Sequence, residues 1–166
     1  MGKCFCVAGK EEISAAFKGK NFGVGCPGGV EVVAHSLRDT LEKHKESKLG
    51  LLKIDFRNAF NEISRDHFVK AVDSMFPEMS NWTQWCYGEA TMLLYDHEHI
   101  IESCSGVQQG DPLGPLYFCC GINALVNEIV ARSQSSTISG TWTTGASLGM
   151  LSFEEGVGEV QHLVCT

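Results

Sequence analysis

The sequence predicts an α+β fold in which helices pack on one face of a sheet. Three observations carry this. The elements run helix, strand, helix, hairpin, helix, an order that keeps strands and helices from alternating regularly. Leu51-Leu52-Lys53-Ile54-Asp55-Phe56 reads as a short, largely buried strand. A long apolar segment from Pro112 or Pro115 to about Arg132 reads as a helix with proline in its first turn.

Length and composition bound the alternatives. With 166 residues, 43% hydrophobic and 20% charged, the chain is one domain or a piece of one. A domain of this size hides roughly 70% of the surface its unfolded chain exposes, so a core can form. These values exclude a disordered tail, a collagen-like repeat and a basic nucleic-acid arm. No apolar run approaches the roughly 18 residues of a membrane span, and MGKCFCVAGK lacks a secretory apolar region. A soluble, intracellular chain, cytoplasmic or nuclear, is expected. The net charge of −7 is unevenly spread. Twelve of the 13 basic residues lie in Met1–Lys70, whereas Ala71–Thr166 carries 11 acids and one base, Arg132. One end can face a polyanion; the other repels it unless cations intervene.

The elements follow in order. Residues 1–22 show little periodicity. Gly23-Val24-Gly25-Cys26-Pro27-Gly28-Gly29 is a turn-forming stretch, and an amphipathic helix follows with Val30, Val33, Ala34, Leu37 and Leu41 on one face. Ser47-Lys48-Leu49-Gly50 breaks it before the buried strand. Ser64 is a good N-cap for a helix presenting Phe68, Ala71, Val72, Met75 and Phe76, which Pro77 stops. A short helix spans Trp82–Tyr87. Thr91–Tyr95 and His99–Ser103 form a hairpin around Asp96-His97-Glu98. Gly106–Asp111 is a loop leading into the long helix. Residues 133–149 are rich in Ser, Thr and Gly, and Leu148–Thr166 has a weak strand–turn–strand pattern around Glu154-Glu155-Gly156.

The eight cysteines make no C-x-x-C pair, and Cys4-x-Cys6 is a weak metal pair, so buried reduced thiols are expected. The six histidines show no zinc spacing. Gly23-x-Gly25-x-x-Gly28 matches a dinucleotide fingerprint and opens a helix, which offers a Rossmann-type dinucleotide-binding alternative. That fingerprint must follow a buried strand, but Phe17-Lys18-Gly19-Lys20-Asn21-Phe22 precedes it. Its acid should come about 20 residues on, whereas Asp55 lies 27 past Gly28.

Several ordered stretches resemble the reverse transcriptases of non-LTR retrotransposons. Leu51–Asn61 (LLKIDFRNAFN) looks like the first palm motif, and Gly106–Pro115 (GVQQGDPLGP) with Leu-Tyr-Phe behind it looks like the second. Phe22–Arg38 is similar to a finger helix upstream, and Phe76-Pro77-Glu78 with Trp82 and Trp85 fits the segment between the motifs. The resemblance covers about residues 22–130. It implies a right-hand polymerase palm, an antiparallel sheet with helices on one face, with partial fingers and no thumb. Residues 1–50 are then partial fingers, 51–132 the palm core, and 133–166 a degenerate or unrelated tail.

The resemblance also implies roles. Nucleotidyl transfer of this kind uses two divalent cations about 4 Å apart. Asp55 is implied to bind both Mg²⁺ ions, with the Phe56 backbone carbonyl as a second ligand. Phe60 is the implied steric gate against a ribose 2′-OH, and the Ala59 backbone faces the incoming triphosphate. Gln109 and Gly110 are implied to line the dNTP pocket, glycine permitting close backbone approach. Implied partners are an RNA template, a DNA primer and dNTP, with no membrane.

The pattern breaks at the third palm motif, which needs an aromatic residue followed by Asp-Asp. No Asp follows Asp111. Ser152-Phe153-Glu154-Glu155-Gly156 sits where that hairpin should fall, with Glu154 and Glu155 as stand-ins for the catalytic acids. The extra methylene shifts each carboxylate by about 1.5 Å, large beside Mg–oxygen distances of about 2.0–2.1 Å. The segment is either a degenerate third motif or an unrelated tail. An impaired or inactive polymerase core and a non-catalytic relic with weak nucleic-acid or protein binding are both open readings. Negligible processive synthesis is expected of this chain alone, because its acidic half lacks a phosphate-binding track.

Overall fold

The computed structural model describes residues 2–18, 20–43, 45–46, 49–54, 56–94, 99–132, 138–143 and 146–154. Helices α1 (Gly2–Ala8), α2 (Lys10–Phe17) and α3 (Gly29–Lys43) precede strand β1 (Leu49–Ile54). Helices α4 (Ala59–Glu62), α5 (Arg65–Met75) and α6 (Pro77–Tyr87) lead to the hairpin β2 (Thr91–Leu94) and β3 (Ile100–Ser103). Helix α7 (Gly114–Arg132) and a second hairpin, β4 (Ile138–Thr143) and β5 (Ala146–Glu154), complete the order. The fold is α+β. β5 lies between β1 and β4 in a three-stranded sheet, and β2 pairs with β3 in a separate two-stranded one. Every pairing is antiparallel.

Local chemistry explains the central helices. Ser64 holds an extended conformation and its side chain accepts the His67 amide, which starts α5. Pro77 ends α5 and opens α6 at the same point, because it disfavours helical geometry at Phe76 and needs no partner in a first turn. Phe76 alone joins the two helices, at φ −140°, and is itself buried.

Helices α5, α6 and α7 enclose the core. Phe68, Val72, Met79, Leu113 and Tyr117 are fully buried there, and Ile13 and Phe17 of α2 cover one side. Phe68 stacks on Tyr117 with centroids 5.5 Å apart, and Tyr87 meets both rings edge-on at 5.2 and 5.3 Å. Such aromatic geometry adds about 0.5–1.5 kcal/mol per pair beyond area burial.

Three expectations change. Residues 1–22 contain two helices. α2 is anchored by only Ile13 and Phe17, an i,i+4 pair too sparse to register as periodicity. The short helix expected at Trp82–Tyr87 begins at Pro77 instead, because Met79 and Thr83 are also buried on its inner face. Along α3, Val33 is buried but Val30 and Leu41 are exposed, so most of the expected apolar face stays open. Of the strand–turn–strand expected around Glu154-Glu155-Gly156, β5 supplies a strand ending at Glu154, and the rest lies outside the described residues.

The expectation of buried thiols holds for Cys119 and Cys120, whereas Cys4 and Cys104 are exposed. The β2–β3 hairpin forms as expected but carries exposed Met92, Leu94 and Ile100. Among the described residues no helix is long and apolar enough to cross a membrane.

Candidate functional site

Strand β1 ends at Ile54, and the chain turns through Arg57 and Asn58 into α4. Asn58 sits at φ 51° and ψ 33°, the left-handed region that Asn tolerates better than most residues. Its carbonyl accepts the amides of Asn61 and Glu62, and its side-chain oxygen accepts the Asn61 side-chain amide at 2.6 Å. This tight turn presents Ala59 and Phe60, both half-buried. Phe60 stacks on Phe118 of α7, centroids 4.7 Å apart and 22° from parallel.

The loop before α7 docks against the same turn. The Gly106 amide donates to the Ile63 carbonyl at 2.9 Å, and the Val107 amide donates to the Phe60 carbonyl at 2.8 Å. Gly106 has φ +69°, and a Cβ there would lie 2.4 Å from the Asn61 carbonyl oxygen. Only glycine fits both constraints. Beyond Val107 the chain turns outward, and Asp111 closes the turn by donating its amide to Gln108 at 3.2 Å. Gln109 and Gly110 are the exposed tip.

Between the two segments lies a cleft of about 570 Å³. Ala59 and Phe60 line one side, and Gln109 and Gly110 the other, so four residues expected at a nucleotide meet in one place. Asn58, Asn61, Gln108 and Asp111 add polar groups. Gly110 has φ +89° with nothing within 4 Å of a Cβ position. This backbone conformation favours glycine, and the space beside it is open.

Of the acids expected at a metal site, Glu154 alone is described. Asp55 and Glu155 lie outside the described residues. Phe56 lies just past β1 with its side chain packed against the core. The β1–β5 register pairs Ile54 with Gly149 and Leu49 with Glu154. Glu154 therefore sits at the far end of β1 from Ile54, about 17 Å along the strand at 3.4 Å per residue. Asp111, in the cleft, has both side-chain oxygens engaged: Tyr87 Oη donates to one at 2.6 Å and the Leu113 amide to the other at 2.9 Å. Among the described residues no three His, Cys, Asp or Glu side chains gather as a metal site. The expected two-cation site turns on Asp55, which these residues do not include.

Two residues that the sequence reading passed over support the loop. Arg65 is 6% exposed and donates from Nε to the Gly106 carbonyl, and from its two terminal nitrogens to the Ser103 carbonyl and hydroxyl. Tyr87, 2% exposed, also accepts the Gln108 amide at 3.1 Å. Burial, then the hydrogen bond to Asp111, holds the Tyr87 hydroxyl above its ordinary pKa and so keeps it a donor. Neither role had a local signal. Arg65 reads as a charge in a first helical turn, and Tyr87 as an apolar helix end.

The glycine stretch before α3 does not resemble a phosphate cradle. It follows helix α2, not a strand. The buried Asn21 side chain already accepts the amides of Gly23 and Val24, and donates to Cys119 Sγ at 2.8 Å. Those amides are therefore occupied by a turn.

Comparison with known proteins gives one relation. The chain is 34% identical over 119 residues to the retrotransposable element SLACS 132 kDa protein of Trypanosoma brucei gambiense. The similarity covers 68% of this chain, which spans 10% of that protein's length. It relates the chain to retrotransposons. No protein-family model matches the chain, and no solved structure matches it.

Proposed function

We propose that this chain carries the nucleotide-binding part of a reverse transcriptase-like domain of retrotransposon origin. One observation supports this above the others: Phe60 and Gln109, 49 positions apart in sequence, line the same cleft. In this reading the sugar of a dNTP rests against the Phe60 ring, whose bulk leaves no room for a 2′-OH. The Ala59 backbone faces the phosphates, and Gln109 and Gly110 close over the base and sugar. Asp55 holds Mg²⁺ for nucleotidyl transfer in an intact enzyme, and RNA template and DNA primer are the partners. The chain binds dNTP but does not synthesise DNA processively, since Glu154 lies far along β1 from the end that leads into Asp55.

Titration of the chain with dNTP and rNTP, followed by ligand-observed NMR, tests the reading. Wild type should prefer dNTP, and Phe60→Ala should lower that preference by about tenfold, the factor for about 1.4 kcal/mol. Equal binding of both nucleotides by wild type, or no binding, would overturn it. Primer extension on an RNA template, with Asp55→Ala alongside, checks catalysis: processive product from wild type would show that another acid completes the centre.

A non-catalytic relic is the second reading, favoured by the exposed apolar hairpin residues Met92, Leu94 and Ile100, which suit a protein partner better than a solvated palm. It predicts no dNTP binding. Any RNA binding should be salt-sensitive and lost on neutralising Lys43, Lys45 and Lys48.

A further inference from the structure

We propose that Arg65 and Tyr87 form a latch that fixes the loop Gly106–Asp111 and thereby sets where Gln109 and Gly110 stand relative to Phe60. This rests on the nucleotide reading of the cleft and deepens it. Both are positioning residues: neither lines the cleft.

The two side chains grip opposite ends of the loop. Arg65 holds the start, reaching the Ser103 carbonyl at 2.6 Å, the Ser103 hydroxyl at 2.8 Å and the Gly106 carbonyl at 3.0 Å. Tyr87 holds the end, bonded to the Gln108 amide at 3.1 Å and Asp111 at 2.6 Å. Only Gln109 and Gly110 lie between the anchored positions. The latch residues also touch each other, with the guanidinium carbon 5.4 Å from the centre of the Tyr87 ring, a cation–π distance.

A buried guanidinium needs compensation, and the usual source is a carboxylate. Among the described residues Arg65 has none: its partners are loop oxygens and an aromatic face. The rigid planar fork reaches both backbone carbonyls at once, which a lysine ammonium cannot do with the same geometry. Because the Val107 amide is bonded to the Phe60 carbonyl, whatever holds the loop also holds the wall opposite the tip. The gap between Phe60 and Gln109, and so the discrimination between deoxyribose and ribose, depends on the latch.

Hydrogen exchange by mass spectrometry on the full chain, together with nucleotide titration, tests this with Tyr87→Phe and Arg65→Lys. Tyr87→Phe removes one hydroxyl and keeps the ring in the core, and Arg65→Lys keeps the charge and removes the fork. Both should speed exchange of the amides at 106–111 by about tenfold or more while α5 and α7 keep their protection, since a lost hydrogen bond of this kind opens the site locally. Both should also reduce the dNTP-over-rNTP preference by severalfold, a change that general loss of stability would not produce. Unchanged loop exchange in both variants would overturn the latch. Faster loop exchange with an unchanged preference would overturn its positioning role. If wild type binds no nucleotide while the loop loosens in the variants, the nucleotide reading fails, and with it the positioning role, but the mechanical latch stands.

Discussion

Phe60 and Phe118 stack with their centroids 4.7 Å apart, so the aromatic wall of the cleft rests on helix α7. Phe118 is 2% exposed and Phe60 is half-buried. The first is a support and the second a surface. Phe118→Ala should cost about 3–5 kcal/mol of stability, read as a lower urea midpoint. Phe60→Ala should cost less, about 1–2 kcal/mol, while altering nucleotide choice. A larger stability loss at Phe60 than at Phe118 would contradict this division.

The glycines at 106 and 110 give a paired test of the loop. Both hold positive φ, +69° and +89°, but only Gly106 is also crowded by the Asn61 backbone. Gly110→Ala should cost about 1–2 kcal/mol, the price of a left-handed backbone. Gly106→Ala should cost roughly a further 1–3 kcal/mol for the forced shift. Urea unfolding of both variants checks the ranking, and equal losses would mean that the loop does not dock on Asn61.

These features differ in how far the sequence reveals them. Ser64, Pro77 and the 91–103 hairpin are legible because their chemistry is local: a cap, a break and a strand pair set by neighbouring residues. Helix α2 is not, since its order comes from Ile13 and Phe17 packing on segments distant in sequence, Phe17 meeting the Phe76 ring at 6.3 Å. The cleft is half legible. Phe60 and Gln109 stand out through resemblance, whereas Arg65 and Tyr87 bond in part to loop backbone groups that any residue offers, at positions distant in sequence, so no local pattern announces them. The register of β5 on β1 is hidden for a similar reason, because Ala146–Glu154 lacks a sharp alternation to fix its pairing.

Thiol chemistry should divide the cysteines by position. Cys119 is buried and its thiol is pushed up to about 12, burial outweighing the Asn21 hydrogen bond. Burial, then the neighbouring Cys119, raises Cys120 as well. Thiolate is the reacting form, so both should resist iodoacetamide at about pH 8. Cys4 and Cys104, exposed, should alkylate first. Peptide mass spectrometry before and after adding urea checks this, and early labelling of Cys120 in the folded protein would show that α7 opens.

The same burial predicts alkaline sensitivity. Tyr87 and Tyr117 are both raised above their ordinary 10.0, chiefly by burial, and Cys119 and Cys120 above 9.0. For each, the folded state holds its proton more tightly than the unfolded chain does. Below the unfolded values both states are protonated, and the neutral groups contribute their full stability. As pH rises past about 9 the unfolded chain loses protons first, so unfolding becomes progressively easier until the folded groups also ionise. The urea midpoint should therefore be flat below about pH 8 and fall between about pH 9 and 11. Tyr117→Phe removes one of these titrations. Its Oη lies 3.2 Å from the Thr83 hydroxyl, so the variant starts less stable, having left a buried polar group short of a partner. Its midpoint should nonetheless fall less steeply with pH than that of wild type, and a parallel decline of the two proteins would show that Tyr117 does not drive the alkaline transition.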